Sequence, residues 1–166
     1  SNEYAKLKMN ASIADRAMEA AFTAIRPGMT ENELAAEIRA HFSSEGAEPR
    51  FWIVGAGGNG AFPHHSASDR VIQEGDAVVI DIGGRKQGFP SDITRMAVVG
   101  MPPEGYGEIH TIVEKAVQAA LKVARPGVMA REVDAAARNV IADAGYGEYF
   151  VHRTGHGIGI DGHEPP

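Results

Sequence analysis

The chain has 166 residues, a formal net charge of −6, 43% hydrophobic residues and 23% charged residues, which is the composition of a globular protein with its own core. It has no cluster of lysine and arginine to bind nucleic acid, and no apolar run approaches the roughly eighteen residues that cross a membrane. The absence of cysteine excludes disulfides and thiolate metal ligands. We expect a cytoplasmic protein.

The first predicted elements are two helices separated by the sequence Arg-Pro-Gly at 26–28. Proline cannot continue a helix and glycine accepts a positive φ, so this tripeptide predicts a turn. Thr30 and Glu33 have the spacing of a capping box, which starts the second helix. Its apolar residues recur at every fourth position, and Gly46 is placed to end it. The apolar stripe consists of Leu34, Ile38 and Phe42.

The sequence G-N-G-A-F-P-H-H-S-A-S-D at 58–69 is typical of a loop. Pro63 restricts the backbone directly before His64, which makes His64 a candidate functional residue. We expect the neighbouring His65 to be a solvated loop residue.

Two β-strands are predicted over A-V-V-I-D-I-G-G at 77–84 and I-T-R-M-A-V-V-G at 93–100, because both are rich in β-branched residues and bounded by glycine. Asp81 lies within the first apolar run, and Asp92 directly precedes the second. If the two strands are adjacent, the two aspartates face one another within side-chain reach.

Two close carboxylates repel one another unless they share a proton or a cation. Hard divalent cations prefer oxygen ligands, and a two-ion site needs carboxylates that bridge the ions. Asp81 and Asp92 are therefore candidate metal ligands. The purely structural alternative is that they cap a helix or form a salt bridge to Arg85 or Arg95.

An internal repeat relates the two halves of the chain, because residues 20–51 align without gaps on residues 119–150, with ten of 32 positions identical. The second copy therefore predicts the same order of elements: a helix, an R-P-G turn, a helix ended by glycine and a strand that begins with an aromatic residue. We expect two related α+β halves, at about 1–75 and 100–166, packed as a single domain with helices on one side of a curved antiparallel sheet.

The sequence T-G-H-G-I-G-I-D-G-H-E-P-P at 154–166 surrounds His156 with glycine, which lets the backbone approach another group closely. His163 lies 99 positions after His64, which is the spacing of the repeat. We therefore expect His64 and His163 to face one another across a pseudo-twofold axis.

The motifs D-I-G-G, D-I-T-R, G-H-G-I-G and H-E-P-P occur in this order. With them the chain resembles, over essentially its whole length, the metallopeptidase family that contains methionine aminopeptidase, aminopeptidase P and prolidase. The resemblance implies the α+β fold called pita-bread, in which two pseudo-symmetric halves carry helices on a curved antiparallel sheet. It implies one catalytic domain over 1–166, whose C-terminal part is missing.

The resemblance also implies roles for seven residues. Three of them correspond to metal ligands: Asp81, Asp92 and His156. Two correspond to histidines that contact substrate: His64 and His163. Two are expected beside the ligand carboxylates as supports: Arg95 and Thr94.

The family binds two divalent ions through five protein ligands, and for this chain we expect Mn²⁺, Co²⁺ or Zn²⁺. The last two of these ligands are glutamates that follow the H-E-x-P motif in the family. We therefore expect both glutamates beyond Pro166 in a longer protein, and we expect weak metal binding and little turnover from the present chain alone.

The sequence N-G-A-F-P-H-H and the motif H-E-P-P resemble the proline-specific members more than methionine aminopeptidase. The resemblance therefore implies an Xaa-Pro aminopeptidase or dipeptidase, which hydrolyses the bond before proline in peptides with proline in second position. Two alternatives stay open: a methionine aminopeptidase or creatinase-like hydrolase on the same site, and a non-catalytic binding protein that reuses the fold. Whether the intact protein is a homodimer also stays open.

Overall fold

The computed structural model of the chain describes residues 2–165. Ser1 and Pro166, the ends of the predicted domain, lie outside the described residues, and Pro166 is also the last residue of the H-E-P-P motif. No helix in the described part of the chain has both the length and the apolar character needed to cross a membrane.

The described residues form two compact units. The first comprises 2–103 with 158–162, and the second comprises 104–157 with 163–165. That the whole chain acts as one catalytic domain with the predicted repeat halves stays a prediction.

The first unit begins with two helices, α1 (Asn2–Ala24) and α2 (Glu31–Ser44). The predicted capping box starts α2, since Thr30 Oγ1 accepts a hydrogen bond from Glu33 N at 3.1 Å and Thr30 N donates to Glu33 Oε2 at 2.8 Å. Gly46, with φ of 68°, follows the end of α2. The sequence prediction for this helix is confirmed at both ends.

A four-stranded antiparallel sheet follows, and its strands are β1 (Glu48–Ala56), β2 (Ala77–Lys86), β3 (Phe89–Pro90) and β4 (Ile93–Val98). Strand β2 pairs with each of the other three. The prediction that the strand containing Asp81 and the strand that follows Asp92 are adjacent is therefore confirmed for β2 and β4.

The core of the first unit lies between the two helices and one face of the sheet. The predicted stripe of α2 is buried there, with Leu34, Ile38 and Phe42 at most 1% exposed. Burial of each such side chain is worth ~1.5–3 kcal/mol. Other large core residues are Ile13, Met18, Val54, Val78, Ile80 and Ile82.

The second unit repeats the helical pair as α3 (Tyr106–Val123) and α4 (Ala130–Asp143), followed by a short 3₁₀ turn at Gly147–Tyr149. Gly127 in the R-P-G turn has φ of 87° and Gly145 after α4 has φ of 89°. Both match the positive φ of their counterparts in the first unit, so the predicted turn and helix end are confirmed. The buried residues of this pair are Ala116, Ala120 and Ala137.

The strand predicted to begin at Phe150 is wrong for the described residues, where no strand follows Tyr149. In the first unit β1 forms because β2 supplies its hydrogen-bond partners. After Tyr149 the backbone bonds to side chains instead, since Arg138 donates to the carbonyl oxygens of Phe150 and His152, both at 2.8 Å. The repeat predicts the helices correctly but not the pairing that a strand requires.

Candidate metal centre and peptide site

Asp81 lies in the middle of β2, and its half-buried side chain shares one face of the sheet with Thr94 of β4. The two residues are direct partners in the antiparallel register, and Thr94 Oγ1 donates a hydrogen bond to Asp81 Oδ1 at 2.7 Å. Such a contact fixes the orientation of a carboxylate, as the outer partners of metal ligands do. The roles of Asp81 as a ligand and of Thr94 as its support stay predictions.

Asp92 directly precedes β4 and lies two positions before Thr94. Because side chains alternate along a strand, we expect Asp92 on the same face as Asp81, at a diagonal separation of ~7–8 Å. The expectation that the two aspartates face one another directly is corrected, because the direct partner of Asp81 is Thr94.

Ser91 holds the backbone before Asp92 against β2. Its N–H donates to Gly84 O at 2.8 Å, and its Oγ accepts from Gly84 N at 3.1 Å. Gly83 leaves the room for this approach, because a Cβ there would overlap Ser91 O and the ring of Phe51. The glycine two residues after Asp81 is therefore a packing requirement of the D-I-G sequence.

Arg95 lies on the other face of the sheet from Asp81, opposite Ile80. Its Nη1 donates to the carbonyl oxygen of Thr94 at 2.8 Å. Arg85 Nη2 likewise donates to a backbone carbonyl, that of Gly88, at 3.0 Å. The predicted support of the ligand carboxylates by Arg95 stays a prediction.

His64 is an exposed residue of the segment between β1 and β2, which is a loop as predicted apart from a short 3₁₀ turn at Gly57–Ala61. The expectation of a solvated His65 is wrong, because its side chain is only 16% exposed and its Nε2 lies 2.8 Å from Glu31 Oε2. Sequence reasoning missed Glu31, since an acidic residue at the start of a helix is common without any long-range contact.

His156 and His163 lie together in the second unit. Gly157 and Glu164 form an antiparallel bridge in which each N–H donates to the other's carbonyl oxygen at 2.9 Å. The two histidines directly precede these residues, and their ring centroids are 3.9 Å apart in an edge-to-face arrangement. Only glycine fits at 157, because a Cβ would lie 2.7 Å from the Glu164 carbonyl oxygen.

The tautomer of His156 follows from its hydrogen bond. Its Nδ1 lies 2.9 Å from the carbonyl oxygen of Gly157. A carbonyl oxygen only accepts, so Nδ1 carries the hydrogen and Nε2 is the nitrogen whose lone pair suits a metal ion. Metal-binding histidines commonly donate their other ring nitrogen to a backbone carbonyl in this way.

A carboxylate of α4 holds the chain before the G-H-G motif. Asp134 Oδ1 accepts from the N–H and the hydroxyl of Thr154 at 2.8 and 3.0 Å, and Arg138 Nε donates to Asp134 Oδ2 at 2.9 Å. The bond from the Arg138 guanidinium, followed by that from the Thr154 N–H, lowers the pKa of Asp134 to about 2. Sequence reasoning missed this contact. The spacing of Asp134 and Arg138, four residues apart on a predicted helix, indicates an ion pair and could have drawn attention to Asp134.

The candidate residues are thus gathered in two groups, one in each unit. The first group lies on or beside β2 and β4 and on the loop after β1: Asp81, Asp92, Thr94, Arg95 and His64. The second group lies on the two sides of one backbone bridge: His156 and His163.

These donors suit a borderline divalent cation. Carboxylate oxygen is the ligand of Mn²⁺ and Mg²⁺, whereas imidazole nitrogen suits Zn²⁺, Co²⁺ and Mn²⁺ better than the hardest ions. Within the first unit the orientation of Asp81 by Thr94 is compatible with a metal ligand, and within the second unit the tautomer of His156 is compatible with one too. Carboxylate and imidazole donors carried on an α+β fold are compatible with binding of divalent cations.

The family model of metallopeptidase family M24 matches residues 5–166, and the chain belongs to this family. Among curated relatives, an Xaa-Pro dipeptidase from Pyrococcus horikoshii is 48% identical over 156 residues, which cover 93% of this chain and 44% of the relative. A probable dipeptidase PepE from Mycobacterium tuberculosis is 51% identical over 142 residues, which cover 84% of this chain and 38% of the relative.

Solved structures agree with this family assignment. The prolidase from Pyrococcus horikoshii OT3 superposes with a TM-score of 0.97 and 45% identity, covering 100% of this chain and 48% of that one. An X-Pro aminopeptidase from Thermotoga maritima gives a TM-score of 0.95 and 42% identity, covering 99% of this chain and 47% of that one. The predicted pita-bread fold is confirmed, and the chain spans less than half the length of each relative named above.

Proposed function

We propose that the full-length protein containing this chain is a metal-dependent Xaa-Pro peptidase that hydrolyses the peptide bond before proline in dipeptides or short peptides. The observation that carries the proposal is the 48% identity to an Xaa-Pro dipeptidase across 93% of the chain. The four motifs of the family resemblance all lie within residues 5–166, the range that the family model matches.

Asp81, Asp92 and His156 are the proposed metal ligands of this chain, and two further carboxylates are proposed to come from the rest of the full-length protein. Mn²⁺, Co²⁺ and Zn²⁺ are the proposed ions. When bound, such ions supply an activated water and polarise the carbonyl that it attacks.

The chain's own residues orient these ligands and the substrate. Thr94 Oγ1 donates to Asp81 Oδ1 at 2.7 Å, which is proposed to orient the carboxylate for a metal ion. His64 and His163 are proposed to donate to the substrate carbonyl and to stabilise the negative charge that develops on it. Each donor of this kind is worth ~2.7–4 kcal/mol in the transition state.

The test is release of the N-terminal residue or of proline from Xaa-Pro substrates by the full-length protein. Activity should disappear with a chelator and return with Mn²⁺, Co²⁺ or Zn²⁺. Asp92→Ala should reduce kcat by several orders of magnitude, whereas Asp143→Ala, an exposed position at the end of α4, should not. Full activity of Asp92→Ala would exclude the proposed site.

A substrate panel decides among the related activities. Cleavage of Xaa-Pro dipeptides indicates a dipeptidase, and cleavage of longer Xaa-Pro peptides indicates an Xaa-Pro aminopeptidase. Cleavage of peptides with N-terminal methionine indicates a methionine aminopeptidase, and hydrolysis of creatine indicates a creatinase-like hydrolase. Metal binding without turnover of any of them would favour the non-catalytic alternative. The cytoplasmic location and the homodimer stay predictions, which cell fractionation and light scattering of the full-length protein test.

A further inference from the structure

A single buried carboxylate organises the loop that carries His64. Glu31 is the first residue of α2, and its side chain is 0% exposed. Its two oxygens accept hydrogen bonds from five donors, all at 3.0 Å or less. The capping box of the same helix uses Thr30 and Glu33 instead, so the carboxylate of Glu31 is not needed to cap it.

The donors come from the start, the middle and the end of the loop. Oε1 accepts from the N–H of Ala56, the last residue of β1, at 2.8 Å and from Asn59 Nδ2 at 3.0 Å. Oε2 accepts from His65 Nε2 at 2.8 Å, and from the N–H and the hydroxyl of Ser68 at 3.0 and 2.6 Å. The Glu31 carboxylate therefore links the start, the middle and the end of the loop formed by residues 57–68.

The carboxylate is ionised under working conditions. Burial by itself raises the pKa of Glu31, but the hydrogen bonds from Ala56, Ser68, His65 and Asn59 outweigh it and lower the pKa to about 2. An ionised carboxylate only accepts hydrogen bonds, so His65 Nε2 must carry a hydrogen. His65 thus acts as a donor that ties the residue next to His64 to the body of the first unit.

The C-terminal end of the loop is held a second time by backbone hydrogen bonds and by an ion pair. Asn32 N donates to Ser68 O at 3.0 Å, and Glu31 N donates to Arg70 O at 3.1 Å. Arg70 pairs with Asp76 through bonds of 2.7 and 3.0 Å. Near His64, Phe62 N donates to Asn59 O at 3.2 Å and His65 N donates to Phe62 O at 3.1 Å, both within the loop. Among the hydrogen bonds described for 62–67, the bond from His65 to Glu31 is the one that ties the loop to α2.

We infer that Glu31, acting through His65, is a positioning residue for His64: the pair holds the loop so that the His64 imidazole has one orientation toward substrate. The inference rests on the proposed function, in which His64 contacts the substrate carbonyl. Glu31 lies outside the motifs of the family resemblance, and His65, the last residue of N-G-A-F-P-H-H, has no role assigned by it. Glu31 acts here without touching substrate.

The decisive variants are His65→Gln and His65→Leu in the full-length protein. The glutamine amide can donate to Glu31 from about the same place as Nε2, whereas leucine cannot donate. With an Xaa-Pro substrate, His65→Leu should lower kcat by about tenfold or more while KM changes by less than about threefold. The reason is that a misplaced His64 would stabilise the transition state less, whereas binding of the substrate in its ground state would change little. His65→Gln should restore most of the loss.

Glu31→Gln changes the acceptor of the His65–Glu31 hydrogen bond. It also places an amide N–H₂ group against buried hydrogen-bond donors, which risks unfolding the protein. The His65 pair therefore decides the outcome. Glu37→Gln, an exposed position on the same helix, is the matched control and should leave kcat unchanged. Equal kcat in His65→Leu and wild type, or equal losses in the leucine and glutamine variants, would overturn the inference.

Amide hydrogen exchange of the same proteins separates this inference from the proposed function. His65→Leu should speed exchange within 57–69 while α2 and β2 stay protected, and His65→Gln should exchange like wild type. If wild type cleaves no Xaa-Pro substrate, the proposed function fails, and the exchange pattern alone decides whether Glu31 holds the loop. Unchanged exchange in His65→Leu would show that it does not.

Discussion

Replacing Gly83 with alanine tests whether the glycine after Asp81 is required by packing. A Cβ at this position would overlap the carbonyl oxygen of Ser91, and it would lie 2.6 Å from Phe51 Cζ as well as closer to the neighbouring ring carbon. The ring can rotate, but the carbonyl oxygen moves only with its backbone. Overpacking of this kind costs ~1–3 kcal/mol. Loss of the two shorter of the three hydrogen bonds between Ser91 and Gly84 adds ~1 kcal/mol each.

The free energy of unfolding should therefore fall by roughly 3–5 kcal/mol, which shifts a urea midpoint by about 2 M. Trp52 is the single tryptophan of the chain and pairs with Ile82 across β1 and β2, so its fluorescence follows the sheet directly. Gly58→Ala is the control, since a Cβ there meets no atom within 4 Å, and it should stay within ~0.5 kcal/mol of wild type. A Gly83→Ala midpoint equal to that of Gly58→Ala would refute the packing explanation.

Three further predictions concern hydrogen-bonded carboxylates. Thr94→Val removes the donor to Asp81 and should weaken Mn²⁺ binding by the full-length protein about 10-fold or more in calorimetry, with Thr94→Ser restoring it. Asp134→Ala should lower the free energy of unfolding by roughly 1–2 kcal/mol, since the site is partly exposed, and should speed hydrogen exchange at Thr154. Folding lowers the pKa of Glu31 from 4.5 to about 2, so its contribution of roughly 3 kcal/mol is present above pH 4.5 and is lost as the pH falls toward 2. A wild-type free energy of unfolding that does not fall between pH 4.5 and pH 2 would contradict this.

Local rules were sufficient to predict most of the first unit from its sequence. The capping box at Thr30, the stripe through Leu34, Ile38 and Phe42, and the adjacency of β2 and β4 all depend on residues near one another in the chain or on a strict period. The exact register was not predictable in the same way. Which residue faces Asp81 depends on how Ser91 closes against Gly84, a contact that no periodicity encodes.

The packing of a helix face is a second property that the repeat does not predict. Ala14 and Met18 of α1 are 1% and 3% exposed beneath the sheet, whereas the residues 99 positions later in α3, Val113 and Val117, are 47% and 45% exposed. The amphipathic period is present in both copies. A period identifies the apolar face of a helix, but the burial of that face depends on which partner covers it.

The repeat locates the candidate histidines, but it does not predict which side chains hold the segments that carry them. Two hydrogen-bonded carboxylates show why. Glu31 anchors the loop of His64 from the first turn of α2, and Asp134 anchors the segment before His156 from the second turn of α4. At the repeat spacing these two positions fall on Ala130 and Ala35, which have no carboxylate. The two units therefore hold their histidine-bearing segments with carboxylates at non-equivalent positions. The repeat relates the helices but does not relate these two carboxylates. A search for paired motifs finds the histidines, whereas the side chains that hold them are found only from contacts across the folded unit.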